Sequence, residues 1–505
     1  MSILIIIILF TLVFASLLYH LLSGPAHRLP PGPRGWPILG NLPQLGPKPH
    51  QTLHALSKAH GPLFLLRLGS VDVVVAASAA VAAAFLRQHD AIFSNRPPNS
   101  GAEHIAYNYQ DLVFAPYGPR WRHLRKLCSL HLFSSKALDD LRPIREQEIQ
   151  RLTRSLLVGR PVNLGEAVNV CATNALARAT VGWRVFVGEG EDTAAEEFKE
   201  MVLEIMKLAG VFNIGDFVPG IGWMDLQGVV GKMKKLHKRM DAFLDKLINE
   251  HKRGSGGRDL LSVLVSLKDD EGEDEANKLS HTEIKALLLN LFTAGTDTTS
   301  STVEWALAEL IRHPTLLHKA QQELDNVVGR QRLVSETDLP NLPFLQAIIK
   351  ETFRLHPSTP LSLPRISSEP CEINGYYIPK NATLLVNVWA IARDPAVWSD
   401  PLEFKPERFM PGGEKANVDV KGNDFEVIPF GAGRRICAGM SLGLRMVQFM
   451  TATLVHGFEW GLPEGVNAEK LDMEESYGLT LQRKVPLTVQ PIPRLVRGAY
   501  EVVEC

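Results

Sequence analysis

The chain has 505 residues, 45% of them hydrophobic and 22% charged, with a formal net charge of -1. That composition supplies a large globular core and, with no basic tail or basic stripe interleaved with aromatics, excludes a nucleic-acid role. The five cysteines, at 128, 171, 371, 437 and 505, are scattered and odd in number and contain no Cys-x-x-Cys pair, which excludes a disulfide framework and fits a reducing compartment.

Ile3 to Leu22 is a run without formal charge, rich in Ile, Leu, Val and Phe, and long enough to cross a hydrocarbon core of about 30 Å as a helix. A cleaved signal peptide would carry a basic leader and a shorter core, whereas only Met1 and Ser2 precede this one. Arg28, Arg34 and Lys48 follow it, so the positive-inside rule places the body of the protein in the cytosol. Residues 1–24 are therefore expected to be a transmembrane anchor. Leu29-Pro30-Pro31-Gly32-Pro33 cannot continue a helix and marks 25–49 as a stiff hinge, leaving 50–505 as the catalytic body.

Phe64 to Ser78 reads as a hairpin, with Gly69-Ser70 as its turn before the β-branched run Val73-Val74-Val75. From about Ala79 onward the apolar spacing is mainly helical. Trp121 and Arg125 are four apart and share one helix face. Val211 to Trp223 mixes apolar residues with glycines and a proline, and either packs into the core or faces outward. Arg253 to Gly257 and Asp269 to Glu275 read as solvent loops.

Ser280-His281-Thr282-Glu283 is a capping box, and the pattern behind it runs to Arg312, giving a helix of about 50 Å. In its middle stands Ala294-Gly295-Thr296-Asp297-Thr298-Thr299, a cluster of poor helix formers where burial should favour Leu or Ala. Such local inconsistency points to a site. Gly295 removes bulk, and the Thr298 hydroxyl either turns inward or bonds back to the carbonyl one turn earlier. Asp297 beside it adds an acid. Strand signals return from Cys371 to Val388, with Asn374-Gly375 as a turn, and near Leu479 to Val489. The expected class is mainly α with small β-sheets in one catalytic domain.

Near the C-terminus, Phe430-Gly431-Ala432-Gly433-Arg434-Arg435-Ile436-Cys437-Ala438-Gly439 sets one cysteine in a glycine-rich, doubly basic loop ahead of a helical run. A thiolate needs positive charge or unpaired N–H groups, and Arg434, Arg435 and the helix N-terminus are the candidates here. Gly433 and Gly439 would let backbone approach a flat ligand.

This string matches Phe-x-x-Gly-x-Arg-x-Cys-x-Gly at every fixed position, and the chain resembles the haem-thiolate monooxygenases of the cytochrome P-450 superfamily, microsomal plant type. The resemblance implies the cytochrome P-450 fold behind an N-terminal anchor, and haem b with Cys437 as its axial ligand. It implies haem contacts from Phe430, Gly433 and Gly439, and propionate clamps from Trp121, Arg125, Arg365 and Arg435. It assigns Glu351, Arg354 and Arg408 to a buried ion network. Asp297 and Thr298 match the family's acid and alcohol pair, which delivers protons for dioxygen cleavage. A haem-thiolate isomerase typically lacks that alcohol, and a non-catalytic haem-binding membrane protein would need neither residue.

Val73-Val74-Val75-Ala76-Ala77-Ser78, Arg96-Pro97-Pro98-Asn99-Ser100-Gly101, Gly412-Gly413-Glu414-Lys415 and Val418-Asp419-Val420-Lys421-Gly422 further resemble markers of the plant flavonoid 3′-hydroxylase subfamily. That likeness implies O2-dependent hydroxylation of the flavonoid B-ring, with NADPH electrons passed by a diflavin reductase, at the cytosolic face of the endoplasmic reticulum membrane. It implies substrate contacts at Asn108, Ala294, Thr359, Leu363 and Thr480, the last being associated with one rather than two hydroxylations. A flavonoid 3′,5′-hydroxylase is the near alternative.

Overall fold

The computed structural model describes residues 27–186, 193–253, 259–269 and 278–500. The apolar run at 3–22, the loops read at 254–257 and 270–275, and Cys505 lie outside the described residues. Among the described residues no helix is long and apolar enough to cross a membrane.

A mixed sheet forms one edge of the molecule. Strands β1 (Leu63–Leu68) and β2 (Val71–Ala76) pair antiparallel around the two-residue turn Gly69-Ser70. Gly69 takes φ +57°, and a Cβ there would meet the Phe217 carbonyl oxygen at 2.2 Å. The helices that build the site are α1 (Ser100–His104), α2 (Pro119–Cys128), α3 (Arg142–Leu156), α4 (Leu164–Val181), α5 (Thr193–Ala209), α6 (Val229–Arg253), α7 (His281–Arg312) and α8 (Pro343–Leu355). The sheet is completed by β3 (Arg365–Ile366) and β6 (Thr383–Val386), in the order β1-β2-β6-β3 with β2 and β6 parallel. Between them β4 (Cys371–Ile373) and β5 (Tyr376–Ile378) pair around Asn374-Gly375, both at positive φ, as that dipeptide favours. Helix α9 (Met440–Gly457) follows the cysteine loop, and β7 (Glu475–Ser476) and β8 (Gln482–Arg483) form a last small hairpin.

Helix α7 is the axis of the fold. The capping box is present in full, with the Ser280 hydroxyl accepting from the Glu283 N–H at 3.1 Å and the Glu283 carboxylate accepting from the Ser280 N–H at 2.8 Å. Its N-terminal half packs with α5 and α6 around Phe198, Leu244 and Phe292, and its C-terminal half with α3, α4, α8 and α9 around Val303, Leu307 and Met450. Apolar residues appear on every side of it because it is buried all round.

The segment 211–223 divides between the two readings. Phe212 and Phe217 stack at 6.0 Å over the sheet core, while Trp223 is 84% exposed and Met224 and Leu226 are exposed beside it. Trp36 and Ile38 are exposed as well. The β1–β2 turn ties both stretches together: Gly69 N–H donates to Leu39 O at 3.0 Å and Ser70 N–H to Phe217 O at 2.8 Å.

Candidate active site

The cysteine loop closes on itself, with the Cys437 N–H donating to Phe430 O at 2.9 Å before α9 begins. The Cys437 side chain is exposed, and the surface it shows faces an interior cavity also lined by Ala294, Gly295, Thr298, Phe430 and Gly439. Burial pushes its thiol up, opposed by the Gly439 N–H and by Arg125. The loop arginines do not serve the sulfur, contrary to the sequence expectation. Arg434 pairs with Asp90 at 3.0 Å, and Arg435 donates to Ser94 O at 2.7 Å and to Ala115 O at 2.5 Å. Gly433 also departs from its expected role. It lies off the cavity with φ +67°, and a Cβ there would meet Asp90 Oδ1 at 2.3 Å, so it serves packing of the loop on the segment between β2 and α1.

Five arginines line this cavity; Arg145 is paired with Glu336 at 2.7 Å, and the other four are Arg96, Arg125, Arg365 and Arg435. Arg365 is paired with Asp90 at 3.1 Å and donates to Ala432 O at 2.6 Å; Arg125 donates to Ile436 O at 2.8 Å; Arg96 donates to Leu363 O and Pro364 O at 2.8 Å. Burial, then the neighbouring arginines, press Arg96 well below its ordinary value and Arg435 down to about 10. Arg435 Nη1 is buried and accepts no partner's lone pair. Because guanidinium stays charged in proteins, these buried, mutually close cations favour an anionic partner. An organic anion with two carboxylates fits that need.

Trp121 does not reach into it with its N–H, which donates to Leu112 O at 2.9 Å. Its indole is instead the face on which Arg125 and Arg435 rest, 5.4 and 4.5 Å from the ring. Among the described residues no three His, Cys, Asp or Glu side chains stand together to hold a metal ion by themselves. One thiol, a cationic rim and a glycine-notched opposite wall therefore suit a haem rather than a bare ion. Bound there, a haem-thiolate supplies reductive activation of dioxygen and transfer of one oxygen atom to a C–H bond.

The notch in α7 is held by its own hydroxyls. Thr298 Oγ1 donates to Ala294 O at 2.8 Å, and Thr293, Thr296, Thr299 and Thr302 bond back one turn in the same way. Thr298 faces the cavity; Asp297 does not. The Asp297 carboxylate is 2% exposed and accepts from the Thr480 hydroxyl and from Gln482 Nε2 at 2.7 Å. Burial raises it, while Thr480 and Gln482 pull the other way. The Thr298 hydroxyl thus lies at the cavity, whereas the Asp297 carboxyl is held away from it by the hairpin.

Ala294, Thr359 and Leu363 line this first, lower cavity, whereas Asn108 and Thr480 line neither it nor the second, upper one beside it. Asn108 is exposed, at φ 53° in the bend after α1, and Thr480 is buried against Asp297. Asn290 lines the cavity with its amide already committed: its Oδ1 accepts from the Leu112 and Val113 N–H groups at 2.8 and 3.0 Å, and its Nδ2 donates to Asp111 at 2.9 Å. A second cavity of about 630 Å³ adjoins the first across Arg96, Ser362 and Leu363, and reaches Val71, Asp216 and Tyr477. Sequence reasoning missed Arg96 as a clamp, and the Arg96-Pro97-Pro98 string before α1 was the available signal.

Behind the cysteine loop, Glu351 receives Arg354 Nε at 2.7 Å, Arg354 Nη2 at 2.8 Å and Arg408 Nε at 3.1 Å, all three side chains being essentially inaccessible. Arg354 also donates to the carbonyls of Ala392, Pro401 and Glu403, and Glu414 completes the group on Arg408.

Comparison with known proteins agrees with this geometry. The family model described as cytochrome P-450 matches residues 30–489. The chain is 72% identical over 489 residues to a flavonoid 3′-monooxygenase of Crocosmia x crocosmiiflora, covering 96% of each. It is 65% identical to the flavonoid 3′-monooxygenase of Petunia hybrida, over 98% of this chain and 99% of that one. A flavonoid 3′,5′-hydroxylase of Crocosmia x crocosmiiflora is 58% identical, over 98% of both. Among solved structures, a zebra fish cytochrome P-450 with abiraterone superposes with TM-score 0.73 at 26% identity, covering 88% of this chain and all of that one. With a thiol facing a cationic cavity across from a notched central helix, and with that match along nearly its whole length, the chain belongs to the cytochrome P-450 family.

Proposed function

We propose that the protein is a membrane-anchored flavonoid 3′-monooxygenase. It uses O2 and electrons from NADPH, delivered by a diflavin reductase, to hydroxylate the 3′ position of the B-ring through haem b on Cys437. The observation that carries this reading is the step in similarity between the two Crocosmia relatives, 72% for the 3′-monooxygenase against 58% for the 3′,5′-hydroxylase. Arg96, Arg125, Arg365 and Arg435 hold the propionates, with Trp121 as the surface under two of them. Thr298 is the hydroxyl that holds the proton beside the reacting oxygen, and Asp297 is its acid reserve. Ala294, Thr359 and Leu363 shape the B-ring end of the pocket. Glu351, Arg354 and Arg408 keep the proximal core in place without touching substrate.

Residues 1–24 anchor the chain in the endoplasmic reticulum membrane, 25–49 form the hinge, and the exposed Trp36, Ile38, Trp223 and Met224 rest on the bilayer. The decisive experiment is product identification from microsomes containing this protein and a reductase, supplied with 4′-hydroxylated flavonoids and NADPH. A single added hydroxyl at 3′ is expected. A second hydroxyl at 5′, or no flavonoid product, would overturn the assignment, and a glycan on Asn381 would overturn the cytosolic placement.

A further inference from the structure

Resting on the flavonoid reading, we propose that Asp216 is a specificity-determining residue whose carboxylate accepts a hydrogen bond from the 7-hydroxyl of the flavonoid A-ring in the upper cavity. Asp216 sits in the short helix Ile214–Phe217, which roofs that cavity opposite β2 and β6. One of its oxygens is committed: Oδ1 accepts from the Ser100 N–H at 3.0 Å, from the Ser100 hydroxyl, and from Asn213 Nδ2 at 3.5 Å. Its other oxygen, Oδ2, receives no hydrogen bond from the described residues. Burial raises this carboxyl, the Ser100 and Asn213 donors lower it, and Glu103, of the same sign, raises it again. A half-buried carboxylate oxygen without a hydrogen bond calls for a donor.

Two neighbouring polar groups of this wall are engaged elsewhere. Arg96 donates to the carbonyls of Val113, Leu363 and Pro364. Asn99 accepts from the Ala102 N–H at 2.9 Å and donates to Pro97 O at 3.2 Å. Lys380 and Tyr477 also line the cavity as possible donors, and the second oxygen of Asp216 is an acceptor that a ligand entering this space would meet.

The ligand's chemistry fits that acceptor. With the B-ring directed into the first cavity beside Thr298, the A-ring extends across the shared wall of Ser362 and Leu363 into the second, upper one. In 5,7-dihydroxylated flavonoids the 5-hydroxyl is tied internally to the 4-carbonyl. The 7-hydroxyl, on the long axis of the molecule, remains free to donate.

The test uses the full-length holoenzyme in microsomes with its reductase, a 5,7,4′-trihydroxyflavanone and its 7-O-methyl ether. Asp216→Asn keeps Oδ1 for Ser100 while replacing the free acceptor by an N–H donor, so the contact between α1 and the roof survives. The wild type is expected to favour the free 7-hydroxyl by about tenfold in kcat/KM, carried by KM, and Asp216→Asn to bring the two substrates within about twofold. Equal use of both substrates by the wild type, which needs no variant to assemble, overturns the assignment. So does an Asp216→Asn enzyme that keeps the wild-type preference while B-ring hydroxylation continues. If a wild type with a normal reduced carbon monoxide spectrum neither binds nor oxidises any flavonoid, the parent reading falls and this one with it.

Discussion

Thr480 donates its hydroxyl to the carboxylate of Asp297, which fastens the acid at the centre of α7 to a hairpin 183 residues further along the chain. Gln482 holds the second oxygen at 2.7 Å, and the Ser301 hydroxyl donates to Leu481 O at 2.9 Å, so three contacts seat the hairpin on the helix. Those donors favour the ionised form of a group that burial pushes the other way. Thr480→Val is therefore expected to raise Asp297 further. The pH dependence of product formed per NADPH should then shift toward higher pH, while Thr480→Ser, which keeps the donor, leaves the profile in place. An unmoved profile in Thr480→Val would separate Asp297 from proton supply.

Thr298 donates only to Ala294 O, one turn back in the same helix, so deleting its hydroxyl strands no distant partner. Thr298→Ala should fold and bind haem normally, yet yield at least about tenfold less product for each NADPH consumed. Peroxide release measured alongside product in microsomes checks this, and unchanged coupling would remove Thr298 from proton handling.

Glu351 is the single carboxylate shared by Arg354 and Arg408 in the inaccessible network. Glu351→Ala leaves two guanidiniums without their common partner, at a cost of roughly 3 to 5 kcal/mol. The expected result is loss of the folded, haem-loaded protein, read as collapse of the reduced carbon monoxide spectrum and of the thermal midpoint.

The arginine rim makes a prediction of opposite sign for the two states of the cavity. Arg435→Met relieves crowding among buried cations, which burial and neighbouring guanidiniums already depress. The haem-free chain should melt at a higher temperature, while haem retention during dilution falls about tenfold. A variant that lost both would show that Arg435 serves packing on Trp121 alone.

Glu475 sits at the base of the same hairpin, where burial opposes its charge but His50, Arg393 and Trp389 prevail and hold it down to about 2 from an ordinary 4.5. A carboxyl depressed in the folded state adds stability above its unfolded pKa, and that stability fades as pH falls toward the folded value. The contribution, an order-of-magnitude figure of about 3 kcal/mol, should disappear between roughly pH 5 and pH 2. Melting curves over that range should be flatter for Glu475→Gln than for the wild type.

The legible parts of this protein were the local ones. The capping box at Ser280, the Gly69-Ser70 and Asn374-Gly375 turns and the cysteine loop each depend on residues within ten positions, so their chemistry is written in one stretch of chain. The directions of side chains that meet distant partners were not. Asp297 and Thr298 are neighbours in sequence, yet one helical step of about 100° sends the first to the hairpin and the second to the cavity. Trp121 was expected to spend its N–H on a ligand and spends it on Leu112; Gly433 was expected at the cavity and lies against Asp90. In both cases the competing partner belongs to a loop whose path no periodicity reveals. Asn108 misleads for a related reason, because the bend after α1 turns it outward.

One small feature governs how the outer apolar surface can move. The amides of Gly69 and Ser70 belong to consecutive planar peptide units in a tight turn, and they grip the carbonyls of Leu39 and Phe217 at 3.0 and 2.8 Å. The stretch bearing Trp36 and Ile38 and the stretch leading to Trp223 are thereby clasped at a fixed spacing. Neither can slide relative to the other until one of those two bonds parts, so they rise and sink together.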